Sequence, residues 1–334
     1  MEITVRVNVI VCTYNRAALL RDALDSLVRQ EVGADCSIGI IVVDNASTDA
    51  TRAVVEGVCA PPQVRVTYRC EPAQGVCHAR NRGVREATAD WIAFLDDDQL
   101  ADPHWLQELL SAARASGALC VGGRVTPRME GGGPVPLPAF CRGLLGETPL
   151  GETEGPLVGK SLPTTGNSIV HRSVFEAIGL FDSELVHGAE DTDFFRRLRG
   201  AGYAIWYSPR ARAIHRIPRH RLASDYLVWT ASRHGANYAI LDGKERGRAR
   251  VVRDGLLRAG QALAVTLPSW VRAGLWRDDP ACLEWRCRLA RTIGYERQAL
   301  RLAAPRALGQ TRFFESLNFR SERVRFGLES PVAP

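Results

Sequence analysis

The run Trp91-Ile92-Ala93-Phe94-Leu95-Asp96-Asp97-Asp98 joins an apolar stretch of strand length to three adjacent carboxylates. Three neighbouring negative charges repel, so a cation belongs among them. Hard oxygen donors suit Mg²⁺ or Mn²⁺, and such an ion also neutralises a pyrophosphate. In open α/β sheets ligands bind outside the carboxyl ends of the strands, which is where this pattern puts the triplet. A solvated acidic turn is the competing reading. It loses ground because other polar clusters also follow apolar runs. A second carboxylate pair, Glu190-Asp191, opens a helical pattern, where the positive end of the helix dipole favours negative charge. Such a pair is either a cap or a functional group.

The elements that must hold these groups are legible from periodicity. Residues 5–12 form a β-branched apolar run followed by Thr13-Tyr14-Asn15-Arg16 and by Leu19, Leu20, Ala23, Leu24 and Leu27 at helical spacing. The unit recurs: residues 38–43 lead into Asp44-Asn45-Ala46-Ser47-Thr48-Asp49 and a short helix that Ser47 or Thr48 would cap. A third copy runs from a strand at 64–68 through Glu71-Pro72-Ala73-Gln74-Gly75 into a helix over 79–87, and the strand 91–95 then delivers the aspartates. This alternation specifies an α/β fold with a mostly parallel sheet covered on both faces. A helix after Pro103, a strand near 120–125, a strand at 167–171, a helix from Ser173 and another over 190–199 complete the core. Residues 127–163, rich in Gly and Pro, read as a long loop of the lid or binding kind.

Composition bounds the rest. The 334 residues, 46% hydrophobic, suffice for one large core plus a helical extension. No stretch approaches the roughly 20 uninterrupted apolar residues of a membrane span, and no signal-peptide pattern precedes the first strand, so a cytoplasmic protein is expected. Nine scattered cysteines without a Cys-x-x-Cys pair argue against a disulfide framework and against a zinc site; Cys12, Cys77 and Cys120 read as small buried hydrophobes. The net charge of +6 divides sharply after Pro209: residues 210–334 hold 24 Lys+Arg against 11 Asp+Glu (+13), and the remainder 19 against 26 (−7). A basic half suits a lipid surface or lipid-linked phosphate, or reflects biased composition alone. Its segment 256–276 is apolar but interrupted by Arg258, Gln261, Pro268 and Arg272. That segment is therefore a surface-lying helix or a core helix, and not a span.

Five motifs in order, Val11-Cys12-Thr13-Tyr14-Asn15-Arg16, Val43-Asp44-Asn45-Ala46-Ser47-Thr48-Asp49, Ala79-Arg80-Asn81-Arg82-Gly83, Phe94-Leu95-Asp96-Asp97-Asp98 with Pro103 downstream, and Gly188-Ala189-Glu190-Asp191-Thr192-Asp193, resemble the family-2 glycosyltransferases, inverting enzymes of GT-A fold. The likeness covers residues 5 to about 220. It implies a catalytic domain over 1–221, with a nucleotide-sugar half to 126 and an acceptor half from 127, and a basic helical extension over 222–334.

It also implies roles. Thr13, Tyr14, Asn15 and Asp44 would hold base and ribose, and Arg80 would approach the nucleotide with its guanidinium fork. Asp96 and Asp98 would supply the Asp-x-Asp pattern, with Asp98 on the metal, Asp96 on the ribose or a metal-bound water, and Asp97 in the variable middle position beside the donor. Asp191 would be the general base, supported by Glu190. His215 would be a second metal ligand or a structural histidine, with His220 a weaker candidate. Gly166 and Asn167, in Thr164-Thr165-Gly166-Asn167, would lie on the acceptor side, where Gly166 permits close backbone approach. The implied partners are Mg²⁺ or Mn²⁺, a UDP-, GDP- or dTDP-type sugar donor, and a hydroxyl acceptor, lipid-linked or not. A peripheral contact at the inner face of a membrane is compatible, and a nucleic acid is not expected.

The Gln-x-x-Arg-Trp signature of processive synthases is missing, which favours transfer of a single sugar. A nucleotidyltransferase would carry a Gly-rich basic loop after the first strand, where this chain has Thr-Tyr-Asn-Arg, and a dehydrogenase would carry Gly-x-Gly-x-x-Gly. A decayed transferase that only binds sugar or lipid phosphate is the non-enzymatic alternative; the full carboxylate set speaks against it.

Overall fold

A computed structural model describes residues 5–185, 188–276 and 279–305. The part of the expected C-terminal extension beyond residue 305 lies outside the described residues. The chain divides into two compact units, Met1–Gly132 with Gly146–Val186 and Glu190–Arg216, and Gly133–Leu145 with His187–Ala189 and Ile217–Pro334. The division falls a few residues before the expected 221/222, and 133–145, expected in the acceptor half, groups with the helical unit.

The first unit is a nine-stranded sheet. Its parallel half is β1 (Val5–Thr13), β2 (Cys36–Asp44), β3 (Val64–Cys70) and β4 (Trp91–Leu95), linked by α1 (Ala17–Val28), α2 (Thr51–Glu56) and α3 (Val76–Glu86). The chain continues through β5 (Gln99–Ala101), α4 (Trp105–Ser116), β6 (Cys120–Met129) and, within the other unit, α5 (Ala139–Leu144). It then adds β7 (Gly155–Pro156), β8 (Asn167–His171), α6 (Arg172–Ile178), α7 (Glu190–Gly200) and β9 (Ile205–Ile217). The strand order is β3-β2-β1-β4-β8-β6-β9-β5, with β7 on β9 and with β8 antiparallel to β4 and β6.

Period-2 alternation builds both faces of this sheet. Val7, Val9 and Val11 of β1 pack with Leu20, Leu24 and Leu27 of α1 and with Trp105 and Leu109 of α4. Ile10, between them in sequence, joins Phe94, Phe175, Phe181 and Phe194 on the opposite face. Being buried on both sides explains why the parallel strands read as near-continuous apolar runs.

Two elements depart from the expected pattern. The stretch 127–163 is not one loop, because β6 continues to Met129 and α5 and β7 follow. Neither Ser47 nor Thr48 caps α2, whose cap residue Ala50 makes no side-chain bond. Ser47 Oγ instead accepts from the Asn15 N–H (2.8 Å), and the Thr48 N–H donates to Asn15 Oδ1 (2.7 Å), so the loops after β1 and β2 are tied to each other.

The second unit is helical: α5, a 3₁₀ turn over Arg219–Leu222, α8 (Ser224–Arg246), α9 (Arg248–Gln261), a π turn over Ala262–Thr266, α10 (Leu267–Leu275) and α11 (Asp279–Ala303). Gly235 of α8 lies against the Arg291 carbonyl and Gly294 of α11 against the Ser232 carbonyl, closer than any Cβ allows. The two long helices therefore meet backbone to backbone. The Arg288 and Arg291 guanidinium groups stand 4.4 and 4.6 Å from the Phe140 ring centre, which holds α5 on α11.

Asn167 is a buried crosspiece of the sheet. Its Nδ2 donates to the carbonyls of Arg124 and Ala211 (both 2.9 Å), and its Oδ1 accepts from Trp105 Nε1 (2.7 Å). Alanine there strands three buried polar groups at about 1–3 kcal/mol each. Asn167→Ala is expected to lower unfolding stability by about 3 kcal/mol or more, read as a drop in the urea midpoint at unchanged slope.

Candidate active site

Every residue singled out for chemistry in the sequence, His220 excepted, lies in the first unit. Three parallel strands stop side by side: Thr13 of β1 pairs with Asp44 of β2 in the ladder, and β4 next to β1 releases the chain into Asp96-Asp97-Asp98. The cluster thus sits at the carboxyl edge of the sheet, where α/β folds bind ligands.

The chain itself supplies cations to the triplet. Arg16 Nη1 lies 2.9 Å from both Asp97 Oδ1 and Asp98 Oδ2, with its side chain only 9% exposed. Thr13 Oγ1 donates to the other oxygen of Asp97 (2.8 Å). His215 Nε2 lies 3.3 Å from Asp98 Oδ2. Arg80 Nη2 stands 3.7 Å from Asp96 Oδ1. Burial pushes the Asp97 carboxyl up to about 6 despite the pull of Arg16.

Arg80 connects the two acidic sets. Its Nη1 is ion-paired with Glu190 Oε1 at the head of α7, and its guanidinium carbon stands 5.8 Å from the Phe181 ring centre. Glu190 Oε2 is buried and has no hydrogen-bond partner among the described residues. Asp191 turns Oδ1 to the N–H of Thr192 (2.6 Å). Burial, and then the neighbouring Glu190, raise its carboxyl to about 6. A half-buried carboxylate with a proton affinity near neutrality is a competent proton acceptor.

The remaining site residues divide. Tyr14 is partly exposed beside the loop junction. Asn15 takes a left-handed backbone (φ 51°) and commits its Oδ1 to Thr48. Ala46 and Ala189, at φ 64° and 70°, are the other non-glycine residues in that region among the described ones, and all three sit in loops that carry site residues. Asp44 is buried; its Oδ1 accepts from the Ser47 N–H (2.9 Å) and its Oδ2 from the Tyr68 hydroxyl (2.7 Å). Gly166 lies against Asp96 Oδ2, and a Cβ there would also meet Gln99 Nε2 at 2.6 Å, so any larger residue would push the Asp96 and Gln99 side chains from their present positions. Asn167 departs from its expected acceptor-side place. It is fully buried with its amide spent on the sheet, and it supports the neighbouring Gly166. His220 belongs to the second unit, where its ring packs edge-on to Tyr226 at 5.9 Å.

Two contributors escaped the sequence reading. Arg16 was visible as part of a polar turn and of the first motif but was given no role, and nothing local says that its guanidinium reaches residues 97 and 98. Gln99, 3% exposed with Oε1 unpaired among the described residues, sits on β5 opposite His215. A three-residue strand has no period to detect.

A divalent ion fits the donor set at Asp98 and His215. Their facing atoms have about the 3 Å spacing of adjacent ligands in an octahedral shell with bonds near 2.1 Å. Among the described residues no group of three or more His, Cys, Asp or Glu converges as a full cage. An ion there would complete its shell with phosphate and water, the habit of Mg²⁺ and Mn²⁺ in nucleotide sites. Cys12 is no rival nucleophile, since burial pushes its thiol up to about 12.

Comparison with known proteins places this geometry. The family model described as glycosyl transferase family 2 matches residues 8–179. Succinoglycan biosynthesis protein ExoM of Rhizobium meliloti (strain 1021) is 33% identical over 235 residues, covering 69% of this chain and 72% of that protein. Validoxylamine A glucosyltransferase of Streptomyces hygroscopicus subsp. jinggangensis (strain 5008) is 38% identical over 105 residues, 31% of this chain and only 25% of that protein. Among solved structures, the mannosyltransferase PcManGT from Pyrobaculum calidifontis, in complex with GDP-Man and Mn²⁺, has the same kind of fold, with a TM-score of 0.57 over 88% of this chain and 86% of that one at 21% identity. The family model spans more than half of the sequence and takes in the strand ends at Thr13, Asp44 and Leu95, and the chain belongs to glycosyl transferase family 2.

Proposed function

We propose that the protein transfers a single sugar from a nucleoside-diphosphate donor to a hydroxyl acceptor with inversion, using a divalent ion and Asp191 as general base. The observation that carries this reading is the pair of carboxylate sets, Asp96–Asp98 at the end of β4 and Glu190-Asp191 at the head of α7, held to each other through Arg80. PcManGT, of similar fold, holds GDP-Man and Mn²⁺, which supports a donor of this class.

In the proposed reaction the loops after β1 and β2 receive the nucleoside, with Tyr14 beside the base and Asp44 within reach of base or ribose. Asp98 and His215 would hold Mg²⁺ or Mn²⁺, which neutralises charge on the departing diphosphate. Asp96, pressed against Gly166 and opposite Arg80, faces the donor. Asp191 removes the acceptor hydroxyl proton as that oxygen attacks the anomeric carbon from the side opposite the nucleotide. The new C–O bond forms, the bond to the phosphate oxygen breaks with its electron pair leaving on the diphosphate, and one displacement inverts the centre. Arg80 holds Glu190 in place through their ion pair, and Glu190 adds to the burial that raises the proton affinity of Asp191.

Two results are expected. In a thermal-shift panel of UDP, GDP and dTDP, one nucleotide should raise the melting temperature only with Mn²⁺, by the equivalent of about 2.7 kcal/mol at a hundredfold excess over Kd. Asp98→Asn should lose that shift, and a shift retained in Asp98→Asn would remove Asp98 from the ligand set. Asp191 must be unprotonated to act, and its carboxyl is raised to about 6. Turnover should therefore fall as pH drops through about 6, close to tenfold per unit below it. Asp191→Asn should cost roughly 10²–10⁴ in kcat and abolish that acid limb. An unaltered limb in Asp191→Asn would assign the base elsewhere.

A further inference from the structure

We propose that the outer face of the α9–α10 helix docks on an anionic lipid bilayer. Leu256, Leu257, Leu263, Val271, Leu275 and Trp276 are each between 52% and 80% exposed. The opposite side of the same rod, at Val251, Gly255, Ala262, Thr266 and Ala273, is buried within the second unit. Scattered exposed leucines are ordinary, but an apolar face sustained over six turns is not.

The π turn strengthens the pattern. Val252, Leu256 and Leu263 follow one another at i, i+4 and i+11, close to whole turns. In a uniform α-helix the next eight residues would rotate Val271 about 80° away from Leu263. The wider i→i+5 turn at Ala262–Thr266 underwinds the rod and returns Val271 and Leu275 toward the same side.

Charge decides the occupant. Residues 246–276 hold six arginines and one aspartate, a surplus of +5. Arg248, Arg250 and Arg253 are exposed, the last with its side chain 61% accessible, while Arg258 turns inward onto the Tyr295 ring (4.2 Å). The single acid, Asp254, is bonded to Arg253 (2.8 Å). A second copy meeting this face by two-fold symmetry would set arginines against arginines, whereas anionic headgroups complement them and acyl chains accept the leucines. At the far end of the rod, Ser269, Arg272, Trp276 and Trp285 line a cavity of ≈ 390 Å³ that brings one guanidinium together with two indoles, side chains suited to a membrane interface. No helix among the described residues is long and apolar enough to cross a membrane, so the contact lies in the interface plane.

The test is flotation of the full chain with vesicles of phosphatidylcholine alone and of equal parts phosphatidylcholine and phosphatidylglycerol, without nucleotide or metal, which keeps the outcome independent of the proposed reaction. Binding is expected to the mixed vesicles, to weaken with salt and to be much poorer on phosphatidylcholine. Leu256→Ser with Leu263→Ser and Leu275→Ser should reduce it at least about tenfold at unchanged circular dichroism. Arg248→Gln with Arg250→Gln and Arg253→Gln should cost roughly fivefold per arginine on the mixed vesicles. Absence of binding to either vesicle, or binding indifferent to both triple variants, overturns the proposal. A concentration-dependent dimer that the serine variant dissolves also overturns it and gives the face to a second copy.

Discussion

Three successive carboxylates at the end of a central strand repel one another, and the first unit is organised around relieving that repulsion. Arg16 reaches from the loop after β1 to Asp97 and Asp98, Arg80 from α3 to the edge of Asp96, and His215 from β9 to Asp98. Each comes from a different element, so the cluster is stable only if the whole sheet is assembled. Asp98 shares its Oδ2 between two nitrogen-bearing side chains, Arg16 and His215, that a divalent ion at the proposed site would compete with or join.

Arg80 gives this electrostatic scheme its reach. A buried guanidinium needs its charge met, and it finds Glu190 on one side and Asp96 on the other, with an aromatic ring beneath. The head of α7 is thereby fixed to α3, and the acid next to Glu190, Asp191, makes no ion pair among the described residues and feels Arg80 only at a distance. That asymmetry, one carboxylate paired with a guanidinium and its neighbour raised, is what the proposed proton-accepting role of Asp191 would draw on. The tie between the loops after β1 and β2, through Asn15, performs a similar service for the end that would receive a nucleoside.

Membership of glycosyl transferase family 2 accounts for the parallel half of the sheet and its motifs, and it leaves the acceptor open. The family match ends at residue 179, ahead of the Glu190-Asp191 pair and of all of the helical unit except residues 133–145. The arginine-rich rod with its exposed leucines and the clamp of Phe140 beneath two guanidinium groups both lie in that unit.

How much of this was legible in residues alone follows from range. The strands at 5–12, 38–43 and 91–95, the helices between them and the placement of Asp96–Asp98 at a strand end all rest on local period and local apolar runs, and the folded chain keeps them within a few residues. The α/β class and the family followed from those same short stretches. What tertiary structure alone decided is every contact between distant segments. Arg16 meets residues 97 and 98, Gln99 faces His215 across a three-residue strand, and Ser47 bonds to Asn15 instead of capping α2. Asn167, expected beside an acceptor, is consumed by backbone carbonyls of Arg124 and Ala211 that no window of sequence places next to it. Local pattern determines which groups exist and on which face of an element they point; which of them meet is set by how the elements pack, and that is information no single segment contains.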